Sequence, residues 1–246
     1  MVEDESRLLL KSALRSILAA TLLGVALAWM GHAIVDLNGS FMARTAVLLC
    51  VGALLLPRPV QVHHPFAHIG LANQITMARG VLVILLVGLI GMDATPRLQA
   101  AALGVAMISS ALDAVDGWVA RRTRMSSVYG ARFDMETDAL QILTLSILAW
   151  QFGKAGAWVL ASGLMRYAFV GAALLFPWLE GPLPASNRRK AIAVAQTVSL
   201  VIAIAPFVSH DISGPLCACA LALLMYSFLV DVAWLRRRTL DSTVVN

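Results

Sequence analysis

"SALDAVDGWVARRTRMSSVYGARFDMETDAL", residues 110 to 140, holds five of the fourteen acidic residues of a 246-residue chain. The rest of the chain is apolar, because 59% of all residues are hydrophobic and the mean hydropathy is +0.80. Carboxylates so close together repel one another, and an apolar surrounding strengthens that repulsion. The cluster therefore needs cations. Its members are Asp113, Asp116, Asp134, Glu136 and Asp138.

The composition around this segment predicts a membrane protein. Only 13% of the residues are charged, and apolar stretches of about 20 residues, the length that crosses a bilayer as a helix, recur along the chain. The predicted fold class is therefore all-α, a polytopic integral membrane protein. Eight spans are expected, near residues 16–34, 41–57, 75–92, 98–119, 135–152, 155–177, 191–209 and 214–235.

The basic residues predict the orientation of these spans. With a cytoplasmic N-terminus, fifteen of the nineteen Lys and Arg residues fall at or near the cytoplasmic side, which satisfies the positive-inside rule. Both termini are then cytoplasmic, and the expected location is a bacterial inner membrane. The fifteen are Arg7, Lys11, Arg15, Arg58, Arg79, Arg121, Arg122, Arg124, Arg132, Arg188, Arg189, Lys190, Arg236, Arg237 and Arg238. Only Arg44, Arg97 and Lys154 fall near the other side, and Arg166 lies inside a span.

A polar, proline-containing stretch after the second span divides the chain. We expect an N-terminal extension with two transmembrane helices at residues 1–60 and a six-span catalytic domain at residues 61–246. The second part contains nearly all the polar residues that lie within spans. No nucleic-acid-binding motif is present, so anionic headgroups and phosphates are the expected partners of the basic residues.

The spacing of the acids brings them together. Asp134 and Asp138 stand at i and i+4 at the start of the fifth span. A short connection makes the fourth and fifth spans antiparallel neighbours, so four carboxylates can converge at one depth near the membrane surface. One face of the fourth span carries Asp113, Asp116, Gly117, Ala120 and Arg121.

Two divalent cations would neutralise such a cluster, and ligands that are all oxygen select magnesium, manganese or calcium over zinc. The small side chains of Gly117 and Ala120 leave a groove where a bulky ligand such as a nucleotide can approach the backbone. Arg121 offers a guanidinium fork to phosphate. Metal, phosphate and membrane interface together indicate phosphoryl-type transfer on a lipid.

The full spacing D-x2-D-G-x2-A-R-x8-G-x3-D-x3-D, from Asp113 to Asp138, resembles the signature of the CDP-alcohol phosphotransferase family at all eight fixed positions. The resemblance covers residues 66–238. The stretch "ANQITMAR" is similar to a second element of the family, with Asn73, Thr76 and Arg79 at its fixed positions. It looks most like that of phosphatidylglycerophosphate synthase relatives.

The resemblance implies a six-helix core and a reaction in which a phosphatidyl group passes from CDP-diacylglycerol, or another CDP-alcohol, to a small hydroxyl acceptor, with release of CMP. Two Mg²⁺ or Mn²⁺ ions would be held by Asp113, Asp116, Asp134 and Asp138, and Asp138 would also act as general base. The implied donor-binding residues are Asn73, Thr76, Arg79, Gly117, Ala120, Arg121 and Gly130.

Other interpretations of these residues stay open at this stage. The acids can form a structural ion network, an ion site in a cation-coupled transporter, or the remnant site of an inactive scaffold. Asn73 can be the N-cap of the third span, and Thr76 can bond back to its own helix. Glu136 lies on a different helix face from Asp134, which favours a solvated or arginine-paired role.

The signature does not specify the acceptor, so glycerol 3-phosphate, a phosphorylated inositol, serine and a lipid such as phosphatidylglycerol all stay open. The basic residues and the likeness of "ANQITMAR" to phosphatidylglycerophosphate synthase relatives favour one of them. A phosphorylated acceptor, with glycerol 3-phosphate as the preferred choice, fits guanidinium forks on the cytoplasmic rim. An arginine in the middle of a span is usually functional, and Asp231 is expected to pair with a nearby arginine. Membrane lipids and a homodimer are further expected partners. The candidate acceptor-binding residues are Arg132, Arg166, Arg188, Arg189 and Lys190.

Overall fold

The computed structural model describes residues 2–56, 68–123 and 127–244, with the backbone alone at residues 2–6, 120–121 and 240–244. Within these ranges the chain forms eight α-helices and no strand. Short 3₁₀ turns at Ala157–Val159 and Pro177–Glu180 flank the sixth helix. The helices are α1 (Val2–Val35), α2 (Gly39–Leu55), α3 (Leu71–Gly88), α4 (Pro96–Thr123), α5 (Val128–Gln151), α6 (Leu160–Leu175), α7 (Asn187–Ala203) and α8 (His210–Val244).

The helices confirm the predicted fold class, an all-α polytopic membrane protein. Among the described residues, five segments are long and apolar enough to cross a bilayer, and α2 is a shorter apolar helix of 17 residues. Large apolar side chains stay exposed on the protein surface, as Leu174 and Phe207 do at 78% and 82%, which suits a surface facing lipid. The five segments are Arg7–Val35, Leu71–Gly88, Pro96–Val119, Ala157–Leu175 and His210–Thr239.

Each of the eight predicted spans overlaps one helix, but the boundaries differ. The seventh was expected to run to residue 209, whereas α7 ends at Ala203. Residues 204–208 stay apolar while they turn, so hydropathy alone overran the helix. The third was expected to end at residue 92, but α3 ends at Gly88. A turn follows there, in which Gly91 has a φ of +80°, a conformation that favours glycine.

Residues 1–144 form one compact unit, in which α3 packs against α1, α2 and α4. The helices α2 and α3 approach closely at Gly88, where an added Cβ would lie 2.6 Å from Thr45 Oγ1 and 2.8 Å from the Phe41 ring. An apolar cavity of about 270 Å³ opens among α1, α2, α3 and α5. Gly80 borders this cavity, and a Cβ there would meet nothing within 4 Å.

Residues 145–246 form a second compact unit, in which α7 packs against α8. Beyond the end of α7, the buried Lys154 Nζ donates to the carbonyls of Ala205 at 2.8 Å and Val208 at 2.6 Å. Cations near a helix C-terminus satisfy carbonyls that have no partner in the helix. Lys154 therefore fixes the turn that ends α7. The division at residue 60 stays a prediction.

Candidate active site

Carboxylates from two helices meet at one point of the first unit. Asp113 and Asp116 come from α4, and Asp134 comes from the first two turns of α5. Each offers one oxygen, and these three oxygens lie within 4.8 Å of one another. The residues thus form a three-carboxylate group whose oxygen donors fit Mg²⁺ or Mn²⁺.

A guanidinium from α3 lies among these carboxylates. Arg79 is buried, with 1% of its surface exposed. Its Nη1 atom is 2.8 Å from Asp113 Oδ1, 3.0 Å from Asp116 Oδ2 and 2.6 Å from Asp134 Oδ1. Its Nη2 atom donates to Asp138 Oδ1. Arg79 therefore contacts all four aspartates of the predicted set. From the sequence, this arginine was predicted only as a donor-binding residue.

The acids and the arginine differ in their access to the outside. The side chains of Asp113, Asp134 and Asp138 are 40%, 41% and 44% exposed, whereas those of Asp116 and Arg79 are nearly inaccessible. The guanidinium consequently supports the acids from the protein interior, while three carboxylates stay open to an incoming ligand. Burying an unpaired carboxylate is costly, and Arg79 offsets that cost for Asp116.

Thr76 lies one helical turn before Arg79 on α3. Its hydroxyl is 3.1 Å from Asp116 Oδ2 and also 3.1 Å from the Ala72 carbonyl. A hydroxyl has one proton to donate, so the two bonds alternate. The predicted bond back to its own helix is present, together with a contact to a site carboxylate.

Asn73 is not a helix cap. The residue at the N-cap of α3 is Gly70, and Asn73 lies buried in the first turn. The interpretation of Asn73 as an N-cap was therefore wrong. Its side chain faces α5, where a Cβ on Gly130 would lie 2.5 Å from Asn73 Oδ1. Gly130 thus permits a close approach that a larger residue would obstruct, and its amide donates to Ser127 Oγ at 3.0 Å.

A second polar layer, which was not predicted from the sequence, joins α4 to α5. Gln141 Oε1 accepts a hydrogen bond from Ser109 at 2.8 Å, and Gln141 Nε2 donates to Ser110 Oγ at 3.0 Å. Gln141 follows Asp138 by three positions and Ser109 precedes Asp113 by four, so both extend the acidic faces by one helical turn. The same helical register that grouped the acids could have found them.

The other predicted site residues of the first unit differ in how far they are exposed. Gly117 is partly buried and Arg132 is exposed. Glu136 is exposed and borders the apolar cavity, on a different face of α5 from Asp134, as predicted. The side chains of Ala120 and Arg121 lie outside the described part of the chain, as do Arg58 and Arg124 from the charge analysis.

Two arginines of the second unit pair with one aspartate. Arg188 Nη2 donates to Asp231 Oδ1, and Arg189 Nη1 lies 3.3 Å from the same oxygen. The expected pairing of Asp231 with a nearby arginine is thereby confirmed. Lys190 is exposed, and Arg166 is partly buried in α6.

The family of the chain follows from a comparison with protein families. The family model described as CDP-alcohol phosphatidyltransferase matches residues 69–231, well over half of the chain. The chain belongs to this family and is a transferase, and the family implies phosphatidyl transfer from a CDP-alcohol in a membrane. Comparisons with curated proteins and with solved structures found no match.

Proposed function

We propose that this chain transfers a phosphatidyl group from CDP-diacylglycerol to the hydroxyl of a small phosphorylated acceptor and releases CMP. The observation that carries the proposal is the convergence of Asp113, Asp116 and Asp134 from two helices, with oxygens within 4.8 Å. Such a group suits a diphosphate held through divalent cations. The proposal rests on this geometry together with the family match.

Three carboxylates are proposed to hold the cations. Asp113, Asp116 and Asp134 supply oxygen donors only, which favours Mg²⁺ or Mn²⁺. When bound, the cations neutralise the donor diphosphate and stabilise the CMP that leaves. Asp116 is anchored by Thr76, whose hydroxyl lies 3.1 Å from Asp116 Oδ2, so the protein fixes the most deeply buried of these ligands in place.

Asp138 is proposed as the general base. Its carboxylate is 44% exposed and lies one turn after Asp134 on the same helix face, where an acceptor hydroxyl can reach it. Asp138 takes the hydroxyl proton as the acceptor oxygen forms its bond to the β-phosphorus. The bond between that phosphorus and the bridging oxygen breaks, and CMP leaves with the bridging oxygen.

The nucleotide is proposed to bind beside the acids. Gly130 and Asn73 lie against each other there, so close that a Cβ on Gly130 would lie 2.5 Å from Asn73 Oδ1. Gly117 is the small residue next to Asp116. Thr76 offers a hydroxyl there. Arg79, Ala120 and Arg121 are the other members of the proposed donor-binding set.

Glycerol 3-phosphate is the proposed acceptor, as in phosphatidylglycerophosphate synthases. Arg132 is exposed two residues before Asp134, where a guanidinium can bind phosphate. Asp231 offsets part of the charge of Arg188 and Arg189. The other proposed acceptor-binding residues are Arg166, Arg188, Arg189 and Lys190.

The proposed setting is a bacterial inner membrane with the site on the cytoplasmic side. Residues 61–246 would form the six-span catalytic domain, and residues 1–60 an extension of two spans. A homodimer is the proposed assembly.

An acceptor panel tests the function. Purified protein in detergent is given radiolabelled CDP-diacylglycerol with glycerol 3-phosphate, serine, an inositol phosphate or phosphatidylglycerol, with Mg²⁺, Mn²⁺ or EDTA. We expect CMP release and a new lipid with glycerol 3-phosphate, and none with EDTA. Product with serine alone would overturn the acceptor, and no CMP with any acceptor and either metal would overturn the proposed reaction.

A further inference from the structure

A single nitrogen atom stands at the centre of the three-carboxylate group. Arg79 Nη1 is within 3.0 Å of one oxygen from each of Asp113, Asp116 and Asp134. These are the same residues whose oxygens group closely enough to hold a cation. Oxygen ligands surround Mg²⁺ at about 2.0–2.1 Å, so a metal ion bound by all three would need the place that Nη1 takes.

Charge explains why the guanidinium is there. Four ionised carboxylates carry a charge of about −4 and repel one another, and Arg79 is the cation that contacts all four. Arg79 Nε is buried and has no hydrogen-bond partner within the described residues. The guanidinium is therefore held by Nη1 and Nη2 alone, through contacts with the same carboxylates that a divalent cation would bind.

We propose that Arg79 is a built-in counter-ion that holds the carboxylates together in the metal-free protein and leaves their centre when a divalent cation binds. Arg79 is then a positioning residue that competes with the metal for the same oxygens. This inference rests on the proposed metal site. It goes beyond that site because it makes the affinity for metal depend on a residue that is not a ligand.

If Arg79 both competes with the metal and holds the carboxylates together, removing its charge should raise the affinity for metal and lower the stability of the metal-free protein. Without the guanidinium, the metal meets no rival charge, so Arg79→Gln should bind Mn²⁺ more tightly. Without the guanidinium and without metal, the carboxylates repel unchecked, so the same variant should unfold at a lower temperature. A residue that merely packs in the core would lower stability with and without metal alike.

The experiment compares four proteins in detergent after metal removal: wild type, Arg79→Gln, Arg79→Lys and Arg44→Gln. Arg44 is a matched control, because it bonds to the Ser40 carbonyl at 3.1 Å on α2 and contacts none of the site carboxylates. Mn²⁺ affinity is measured by titration calorimetry, and thermal unfolding is recorded in EDTA and in Mn²⁺.

We expect Arg79→Gln to bind Mn²⁺ more tightly than wild type by about 5- to 150-fold, the usual range for two coupled binding events. Its unfolding temperature should be lower in EDTA and should rise more on Mn²⁺ addition than that of wild type. Arg79→Lys, which keeps one charge but lacks the fork, should fall between the two. Arg44→Gln should match wild type in Mn²⁺ affinity and in the gain on Mn²⁺ addition.

Equal or weaker Mn²⁺ binding by Arg79→Gln, with wild type binding normally, would overturn the inference and leave the metal site standing. Absence of Mn²⁺ binding in every protein would overturn the metal site itself. If Arg79→Gln does not accumulate, the charge-compensated variant Arg79→Gln/Asp138→Asn replaces it, because Asp138 is outside the three-carboxylate group. That variant should also bind Mn²⁺ more tightly than Asp138→Asn alone, and equal affinity would again overturn the inference.

Discussion

Asp138 and Glu136 are two residues apart on α5 and have different surroundings. Asp138 contacts Arg79 beside the other carboxylates, whereas Glu136 is exposed at the apolar cavity. If Asp138 is the general base, Asp138→Asn should reduce CMP release by about 10²- to 10⁴-fold. Mn²⁺ binding should remain, because Asp138 is outside the three-carboxylate group.

Glu136→Gln is the matched control for that measurement, since it removes one carboxylate from the same helix. Its rate of CMP release at saturating substrates should stay close to that of wild type. Turnover that survives in Asp138→Asn, or is lost equally in Glu136→Gln, would contradict the assignment of the base.

At the residue scale, the sequence predicted the acids but not what they contact. Asp113 and Asp116, and likewise Asp134 and Asp138, share helix faces through spacing alone. The position of Arg79 depends on how α3 packs against α4, which no spacing within α3 encodes. The close approach of Asn73 to Gly130 also joins two helices, and so the spacing within either helix does not predict it.

At the scale of the helix, α3 offers a test of packing with two of its own glycines. A Cβ at Gly88 would lie 2.6 Å from Thr45 Oγ1 and 2.8 Å from the ring of Phe41, both buried. Gly88→Ala should therefore force α2 away from α3 and cost about 1–3 kcal/mol, as overpacking does. Thermal unfolding in detergent measures the effect.

Gly80→Ala is the control in the same helix. A Cβ there meets nothing within 4 Å, so the substitution should stabilise the helix by about 0.5–1 kcal/mol. The two variants add the same methyl group to α3 and should shift the unfolding temperature in opposite directions. A loss of similar size in both would mean that α3 and α2 do not pack as the structure has them.

Helix existence was predictable and helix ends were not. In the described part of the chain, apolar length predicted each of the eight helices, including α2, the shortest of the predicted spans. The ends of α3 and α7 were set by turns that remain apolar, at residues 89–92 and 204–208. Hydropathy does not distinguish an apolar turn from an apolar helix. The turn at residues 204–208 is instead marked by the hydrogen bonds that Lys154 donates to two of its carbonyls.

At the scale of the whole molecule, the distribution of charge predicts which loops face the cytoplasm. Fifteen of nineteen basic residues fall on the proposed cytoplasmic side, and the positive-inside rule orients a membrane protein by such an excess. The loops after α1, α3, α5 and α7 should then lie outside the cytoplasm. The loop between α6 and α7 should lie inside, together with both termini.

Cysteine labelling measures this orientation directly. The chain has three cysteines, Cys50, Cys217 and Cys219, which are first replaced by serine or alanine. Single cysteines are then introduced at two exposed loop residues, Asp93 after α3 and Ala185 before α7. In intact spheroplasts, a membrane-impermeant maleimide should label Asp93→Cys, while Ala185→Cys should react only after the membrane is permeabilised. The reverse result would invert the predicted topology and place the site residues on the side that CDP-linked donors made in the cytoplasm do not reach.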